Sequence, residues 1–126
     1  MSEGRVREAP SDRFDAPFLE FDLRAEIAAL RAESAPARHG HRQKTLYKSG
    51  RRTIALFVMK EGSALPEHAA DGTVSIQAIE GTIRVGMELG SRLLSAGRLM
   101  VLRPGLRHSV VAETDAAFLL QVSLGM

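Results

Sequence analysis

The sequence predicts an all-β fold, an antiparallel sandwich or barrel preceded by one short helix. From residue 53 onward, apolar side chains recur at every second position, as they do in strands. Glycine and proline turn signals interrupt these runs about every ten residues, so about seven or eight short strands are expected. A helical period occurs only near the N-terminus. A closed barrel suits such a chain because it leaves no strand edge exposed.

The composition is that of one ordinary globular domain. The chain has 126 residues, of which 44% are hydrophobic and 25% charged, and no apolar run approaches the roughly 20 residues of a membrane-spanning helix. The first residues lack the apolar core of a secretory signal, so we expect a cytoplasmic location and no membrane partner. The absence of cysteine excludes disulfides and thiolate ligands, which leaves histidine and carboxylates as metal ligands.

The change of pattern divides the chain into two parts. Residues 1–42 are predicted to form an arm, a short helix and a linker, and residues 43–126 the barrel. The polar, proline-containing segment 1–17 is expected to be a mobile arm.

The predicted helix covers residues 23–33. Asp22 is placed to cap its first turn, and Ser34–Pro36 is expected to end it. Its apolar face is defined by a recurrence at i, i+4 and i+7, namely Leu23, Ile27 and Leu30.

The stretch after the helix is strongly basic. Six cations occur there with no acid among them: Arg38, Arg42, Lys44, Lys48, Arg51 and Arg52. Such a cluster is one feature of nucleic-acid-binding proteins, but aromatic residues for base stacking are almost absent and no reading helix follows. We therefore interpret the cluster as a solvated linker plus the outer face of a first strand, and predict no nucleic-acid partner.

Strand alternation assigns side chains to the inside of the barrel, because successive residues point to opposite faces. A hairpin is expected at Glu80–Gly81, a turn at Gly90–Ser91, and a short buried run over Leu99–Leu102. The residues expected inside are Val74, Ile76, Ala78, His108, Val110, Ala112, Phe118 and Leu120.

Two histidines, His68 and His108, are the residues most able to carry chemistry. Each lies beside a turn rich in proline and glycine, near a strand start. In a barrel, inward residues at strand ends converge even when about forty positions separate them in sequence. We therefore expect the two imidazoles to meet.

The spacing around His68 resembles the first motif of the cupin family. That motif reads glycine, five residues, histidine, one residue, histidine, three or four residues, glutamate, six residues, glycine. Gly62, His68 and Gly81 match it. Ala70 stands at the second histidine and Val74 at the glutamate, so two of the three ligands that this motif supplies are missing.

The spacing around His108 resembles the second cupin motif. Gly97, Gly105 and His108 match its two glycines and its histidine. Arg103 stands at the motif's proline, with a proline just after it, and Ala112 at its terminal asparagine. The resemblance implies a cupin β-barrel, that is, a double-stranded β-helix or jelly roll, and covers roughly half of the chain.

These placements predict an apolar cavity with two imidazoles at its polar end. Such a cavity suits a small, largely apolar molecule oriented by one or two polar contacts. The predicted ligand-binding residues are His68, Val74, Ile76, Ala78, His108, Val110, Phe118 and Leu120.

Two alternatives remain open. In the first, the chain is a metal-dependent cupin enzyme, an oxygenase or isomerase, in which His68 and His108 hold Zn, Fe, Mn or Ni; the loss of the glutamate counts against it. In the second, the barrel is a sensing or interaction module whose basic segment touches an acidic partner. No catalytic residue is assigned.

A homodimer is also expected. Alternation places four side chains on the outer faces of strands, where they would form an exposed apolar and amide-bearing surface in a monomer: Gln77, Ile79, Leu119 and Gln121. Cupins commonly pair through such a sheet.

Overall fold

The computed structural model describes residues 17–33 and 40–125, which form one helix and nine strands. The elements are α1 (Leu23–Arg31), β1 (His41–Lys48), β2 (Arg52–Met59), β3 (Ala64–His68), β4 (Thr73–Glu80), β5 (Thr82–Met87), β6 (Gly90–Ser95), β7 (Leu99–Leu102), β8 (His108–Ala112) and β9 (Ala116–Ser123). The predicted arm up to residue 16 and the predicted helix end at Ser34–Pro36 lie outside the described residues.

The strands form two facing antiparallel sheets. The larger sheet has the order β1-β2-β9-β4-β7 and the smaller one the order β3-β8-β5-β6. Strand β1 begins at His41, within the segment that the sequence predicted as linker. The predicted all-β fold with one short helix is confirmed, although the described chain has more strands than expected.

The main core lies between the two sheets and follows from strand alternation. In β8 every second residue is buried, and His108, Val110 and Ala112 share the inner face as predicted. Within the larger sheet, the paired residues Phe57 and Phe118 of β2 and β9 stack their rings with centroids 4.9 Å apart and an interplanar angle of 2°. Aromatic pairs in such contact add stability beyond the area that they bury.

Helix α1 covers part of the outer face of the larger sheet. Asp22 caps it, accepting a hydrogen bond from the Ala25 amide at 3.1 Å as predicted. Ile27 and Leu30 pack with a second apolar cluster formed by Leu46, Leu56, Val58 and Ala117. Burial of each of these two helix side chains contributes about 1.5–3 kcal/mol, which fixes a short helix that would be unstable alone.

The helix also supplies acids to the basic segment. Lys44 donates to Glu26 at 2.7 Å, and Arg42 lies 3.7 Å from Glu33. Two of the cations that have no acidic neighbour in sequence are therefore paired in space, across the contact between α1 and β1.

The same packing changes the surface on which the homodimer was predicted. Ile79 and Leu119 are partly buried against the cluster around α1, so they are not the exposed pair that alternation suggested. Exposed apolar side chains lie instead on β7, where Leu99 and Val101 are 60% and 62% exposed. The predicted buried run over this strand is therefore wrong for these two residues, because β7 is an edge strand with one face open to solvent.

Two turn predictions are corrected by the pairing. Gly81 does not make a hairpin, since β4 pairs with β7 and β9 whereas β5 pairs with β6 and β8. It is a corner between sheets with φ of 72°, where a Cβ would lie 2.1 Å from the Asp115 carbonyl oxygen. The turn predicted at Gly90–Ser91 comes earlier, because Gly90 already pairs with Met87.

Candidate functional site

His68 and His108 meet at one end of the barrel. His68 is the last residue of β3 and His108 the first of β8, and the two are direct partners in the antiparallel pairing. Their ring centroids are 4.3 Å apart with an interplanar angle of 59°. The structure thus brings together two side chains that are forty positions apart in sequence, although His68 ends a strand where the sequence suggested a strand start.

Both imidazoles are held in the same way. His68 Nδ1 lies 3.0 Å from the Pro66 carbonyl oxygen, and His108 Nδ1 lies 3.0 Å from the Leu106 carbonyl oxygen. A carbonyl oxygen only accepts hydrogen bonds, so each Nδ1 must carry the proton. In the neutral ring each Nε2 therefore bears a free lone pair.

The two rings differ in exposure. His68 is exposed, whereas His108 is 1% exposed and is the buried polar residue of the core. His108 Nε2 has no hydrogen-bond partner among the described residues. A buried acceptor without a hydrogen-bond partner costs about 1–3 kcal/mol of folding free energy, and native proteins contain few of them.

Half-buried apolar side chains surround the histidines. We define the open end of the barrel by His68, His108, Met87, Leu106 and Val122. Met87 is paired with His108 in the smaller sheet, and Val122 is paired with Val74 in the larger one. These residues pack against the interior yet keep surface accessible to solvent.

The loops over the open end are tied together. The Gly105 amide donates to the Ala70 carbonyl at 2.8 Å, which joins the loop after β7 to the loop after β3. Ala70 and Leu106 from these loops also contact the core. The two loops that flank the histidines are therefore joined to each other.

Most of the predicted lining residues are buried about as deeply as His108. Ile76, Val110 and Phe118 have 0% exposure, so no water-sized sphere touches them from outside or from an internal void. Val74 and Ala78 are buried in the same cluster, at 3% and 2%, and Leu120 is half-buried. The part of the interior that these residues line is therefore a packed core.

Three residues of the open end were missed from sequence: Met87, Leu106 and Val122. Leu106 precedes His108 by two positions, and its carbonyl oxygen holds the His108 ring. This closeness in sequence could have indicated Leu106. The pairing of Met87 with His108 has no such signal, because it depends on which strands are neighbours.

Several solved structures share this architecture. The chain resembles a conserved protein of unknown function from Streptococcus pyogenes, with 17% identity and a TM-score of 0.72 over 96% of this chain and 98% of that one. It resembles a cupin superfamily protein from Desulfitobacterium hafniense DCB-2, with 16% identity and a TM-score of 0.67 over 72% of this chain and 84% of that one. The chain has the cupin fold. KdgF from a Halomonas species is also similar, with 20% identity and a TM-score of 0.63 over 73% of this chain and 87% of that one.

The resemblance lies in the structure rather than in the sequence. No family model matches this chain, and no curated protein matches it. The predicted resemblance to cupins is confirmed at the level of fold, which by itself does not determine a function.

Among the residues that the structure describes, the donors that converge at the histidines are too few for a resident metal. Catalytic zinc sites use three protein ligands, and the two histidines are the donors that converge here. In the described part of the chain, no group of three or more His, Asp or Glu side chains is placed to hold a metal ion. Ala70 and the buried Val74 occupy the positions of the missing ligands, and the neighbouring Glu67 is exposed and lies 3.4 Å from Arg107.

One observation concerns membranes. Within residues 17–33 and 40–125, no helix is both long and apolar enough to span a bilayer.

Proposed function

We propose that the open end of this cupin barrel binds a small, largely apolar molecule whose polar group donates a hydrogen bond to His108, with His68 as a second acceptor. The observation that carries the proposal is the buried Nε2 of His108, which has no partner among the described residues although its Nδ1 is bonded. A ligand donor at this atom removes the cost of an unsatisfied acceptor.

The surroundings of the histidines support an apolar body for the ligand. Met87, Leu106 and Val122 are half-buried against the core and leave apolar surface next to the rings. A molecule that covers this surface gains about 25 cal/mol for each Å² of apolar area removed from water. Charged groups at the rim, Glu67 and Arg107, point into solvent and pair with each other.

The tautomer of both rings supports a donor rather than an acceptor on the ligand. Because each Nδ1–H is donated to a backbone carbonyl, each neutral ring offers only a lone pair to the ligand. An alcohol, an amine or an amide N–H satisfies this lone pair, whereas an ether or an ester does not.

A matched pair of probes tests the proposal. Protein labelled with ¹⁵N in histidine is titrated with benzyl alcohol and, separately, with benzyl methyl ether, which has the same apolar body but no donor. Benzyl alcohol is expected to move the His108 Nε2 resonance in a saturable way, and the ether to move it much less. The His108→Phe variant should lose the difference between the two probes.

The outcomes against the proposal are distinct. If neither probe produces a saturable change at either histidine, the open end does not bind molecules of this class. If the ether acts as strongly as the alcohol, the imidazole lone pair does not select the ligand.

A metal-dependent function is the second candidate. The observation in its favour is the bonding of both Nδ1–H groups to carbonyls, which is how proteins usually orient a histidine that binds metal through Nε2. With two protein donors, a divalent Zn, Fe, Mn or Ni ion would need its remaining ligands from water or from a bound molecule. This function requires stoichiometric metal in purified protein that both His68→Ala and His108→Ala abolish; a substoichiometric content removes it.

Dimerisation and a cytoplasmic location stay predictions. The exposed Leu99 and Val101 on edge strand β7 now provide the apolar surface for pairing, in place of Ile79 and Leu119. Light scattering at micromolar concentration should report a dimer that Leu99→Lys converts to a monomer.

A further inference from the structure

A cavity lies at the opposite end of the barrel strands from the histidines. It has a volume of about 270 Å³ and is formed where the end of α1, the start of β1 and the end of β2 come together. Because β2 runs from Arg52 near the open end to Met59 at this cavity, the two sites are about 20 Å apart at about 3.3 Å per residue. The cavity is therefore separate from the site proposed above.

The cavity combines an apolar floor with cationic walls. Val58 forms the floor, because its buried side chain lies on the face of β2 that α1 covers, whereas the Met59 side chain belongs to the main core on the opposite face. The charged lining consists of three cations and one carboxylate: Arg31, Arg42, Lys60 and Asp115. The carboxylate is already engaged, because Asp115 Oδ1 accepts the Glu61 amide at 2.8 Å.

The two guanidinium groups retain donors for a ligand. Arg31 donates through Nη1 to Glu80 at 2.6 Å, which uses one of five N–H groups. Arg42 lies 3.7 Å from Glu33, too long for a hydrogen bond, and its side chain is only 18% exposed. A half-buried guanidinium with unused donors favours an oxyanion, since it binds carboxylate and phosphate through two parallel hydrogen bonds.

Lys60 places a third positive charge at the rim. Its side chain is exposed, and no contact among the described residues uses its ammonium group. Its backbone is fixed, because the Lys60 amide donates to the Gly40 carbonyl at 3.0 Å. Gly40 is itself held close to Ser63, where a Cβ would clash at 2.7 Å. The cation therefore projects from a rigid junction, as a binding residue should.

We propose that this cavity binds a small organic acid, with its anionic group between Arg42 and Lys60 and its short apolar part on Val58. The shared chemistry is an oxyanion, either a carboxylate or a phosphate. The volume of about 270 Å³ is near the lower end of the range for small-molecule pockets, which suits a small acid.

Binding of two probes to ¹⁵N-labelled protein tests the proposal. Butyrate and inorganic phosphate are titrated at constant ionic strength, and the backbone amides of Gly40, Met59 and Lys60 are followed. A saturable shift of these amides with butyrate is expected, and a weaker one with phosphate, which lacks the apolar part. The histidine resonances of the open end should not move, which separates this result from a failure of the proposed function.

Charge variants with a matched control identify the site. Lys60→Gln removes an exposed charge without touching a described side-chain contact, so the fold is retained, and it should weaken butyrate binding at least fivefold. Arg42→Gln should weaken it further. Lys48→Gln, an exposed cation at the far end of β1, should leave the affinity unchanged. The proposal is overturned by an absence of saturable shifts, or by equal weakening in the Lys60 and Lys48 variants, which would indicate general charge attraction only.

Discussion

The two ends of the barrel are built from the same strands but differ in how completely they are filled. At the closed end, which we define by Met59, Ala78, Ile83, Ala112 and Ala116, every side chain is at most 3% exposed. At the open end, half-buried Met87, Leu106 and Val122 surround two imidazoles. Alanines occupy three of the five positions that define the closed end, whereas the open end carries two histidines and longer, half-buried side chains.

Because of this difference, the closed end contributes mainly to stability, and the open end is where we propose that a ligand binds. An unsatisfied acceptor is costly in a packed interior, so a polar atom such as His108 Nε2 persists only where some other contribution offsets it. The closed end contains no such atom among its defining residues. Substitutions at packed positions should therefore change the free energy of unfolding more than substitutions at the open end or on the surface.

The largest effect is expected at the packed aromatic pair. Phe118→Ala should lower the free energy of unfolding by about 3–5 kcal/mol, because Phe118 is fully buried and stacked on Phe57. Urea unfolding followed by circular dichroism measures it. The matched control is Phe18→Ala, at a position 68% exposed, which should change stability by less than about 0.5 kcal/mol. Similar losses in both variants would mean that the interior is not packed as described.

A charge placed just below the open end should have the next largest effect. Val74→Glu puts a carboxylate among buried apolar side chains and should lower the free energy of unfolding by about 2–4 kcal/mol. Gln77→Glu, on the outward face of the same strand, should be close to neutral.

Thermal unfolding with added Zn²⁺ provides a second test of the Val74→Glu variant. If a third donor is what the wild-type site lacks, Zn²⁺ should raise the melting temperature of the Val74→Glu variant more than that of the wild type. An equal response in both would place residue 74 out of reach of the two imidazoles.

Removing the unsatisfied acceptor of His108 should leave the free energy of unfolding unchanged or raise it slightly. His108→Phe loses one hydrogen bond, worth about 1 kcal/mol, but also removes an orphan acceptor that costs about 1–3 kcal/mol. The variant should therefore be at least as stable as the wild type in urea, while binding at the open end is lost. A loss above about 2 kcal/mol would show that Nε2 is satisfied in solution.

The smallest effect is expected at the rim of the open end. The Glu67–Arg107 pair spans 3.4 Å and is more than half exposed, so Glu67→Gln should change stability by less than about 0.5 kcal/mol. Glu26→Gln removes the negative charge from the 2.7 Å contact with Lys44 and should cost more, about 0.5–1 kcal/mol. Urea unfolding at low and high salt measures both, and a larger loss for Glu67 would reverse this order.

Local patterns predicted much of the fold and part of the site. Alternation correctly placed Val74, Ile76 and Val110 inside, and the cap at Asp22 correctly located the start of the helix. The cupin-like spacing correctly paired His68 with His108. It did not predict how much of the interior is already filled, because packing depends on which side chains face one another across the two sheets.

The errors share a physical cause. Gly81 was predicted to close a hairpin because a glycine beside two alternating runs is a local signal for chain reversal, and that signal is the same at a corner between sheets. Ile79 and Leu119 were predicted to be exposed because alternation describes the two faces of a strand and not what covers each face.

The sequence by itself determined the secondary structure, the inward face of most strands and the identity of the two histidines, because each of these depends on periods of two or 3.6 residues and on residues a few positions apart. Only the tertiary structure decided that α1 covers one half of the larger sheet, that His108 is buried while His68 is exposed, and that a cationic cavity forms between α1, β1 and β2. These features arise from contacts between residues distant in the chain, which no local period encodes.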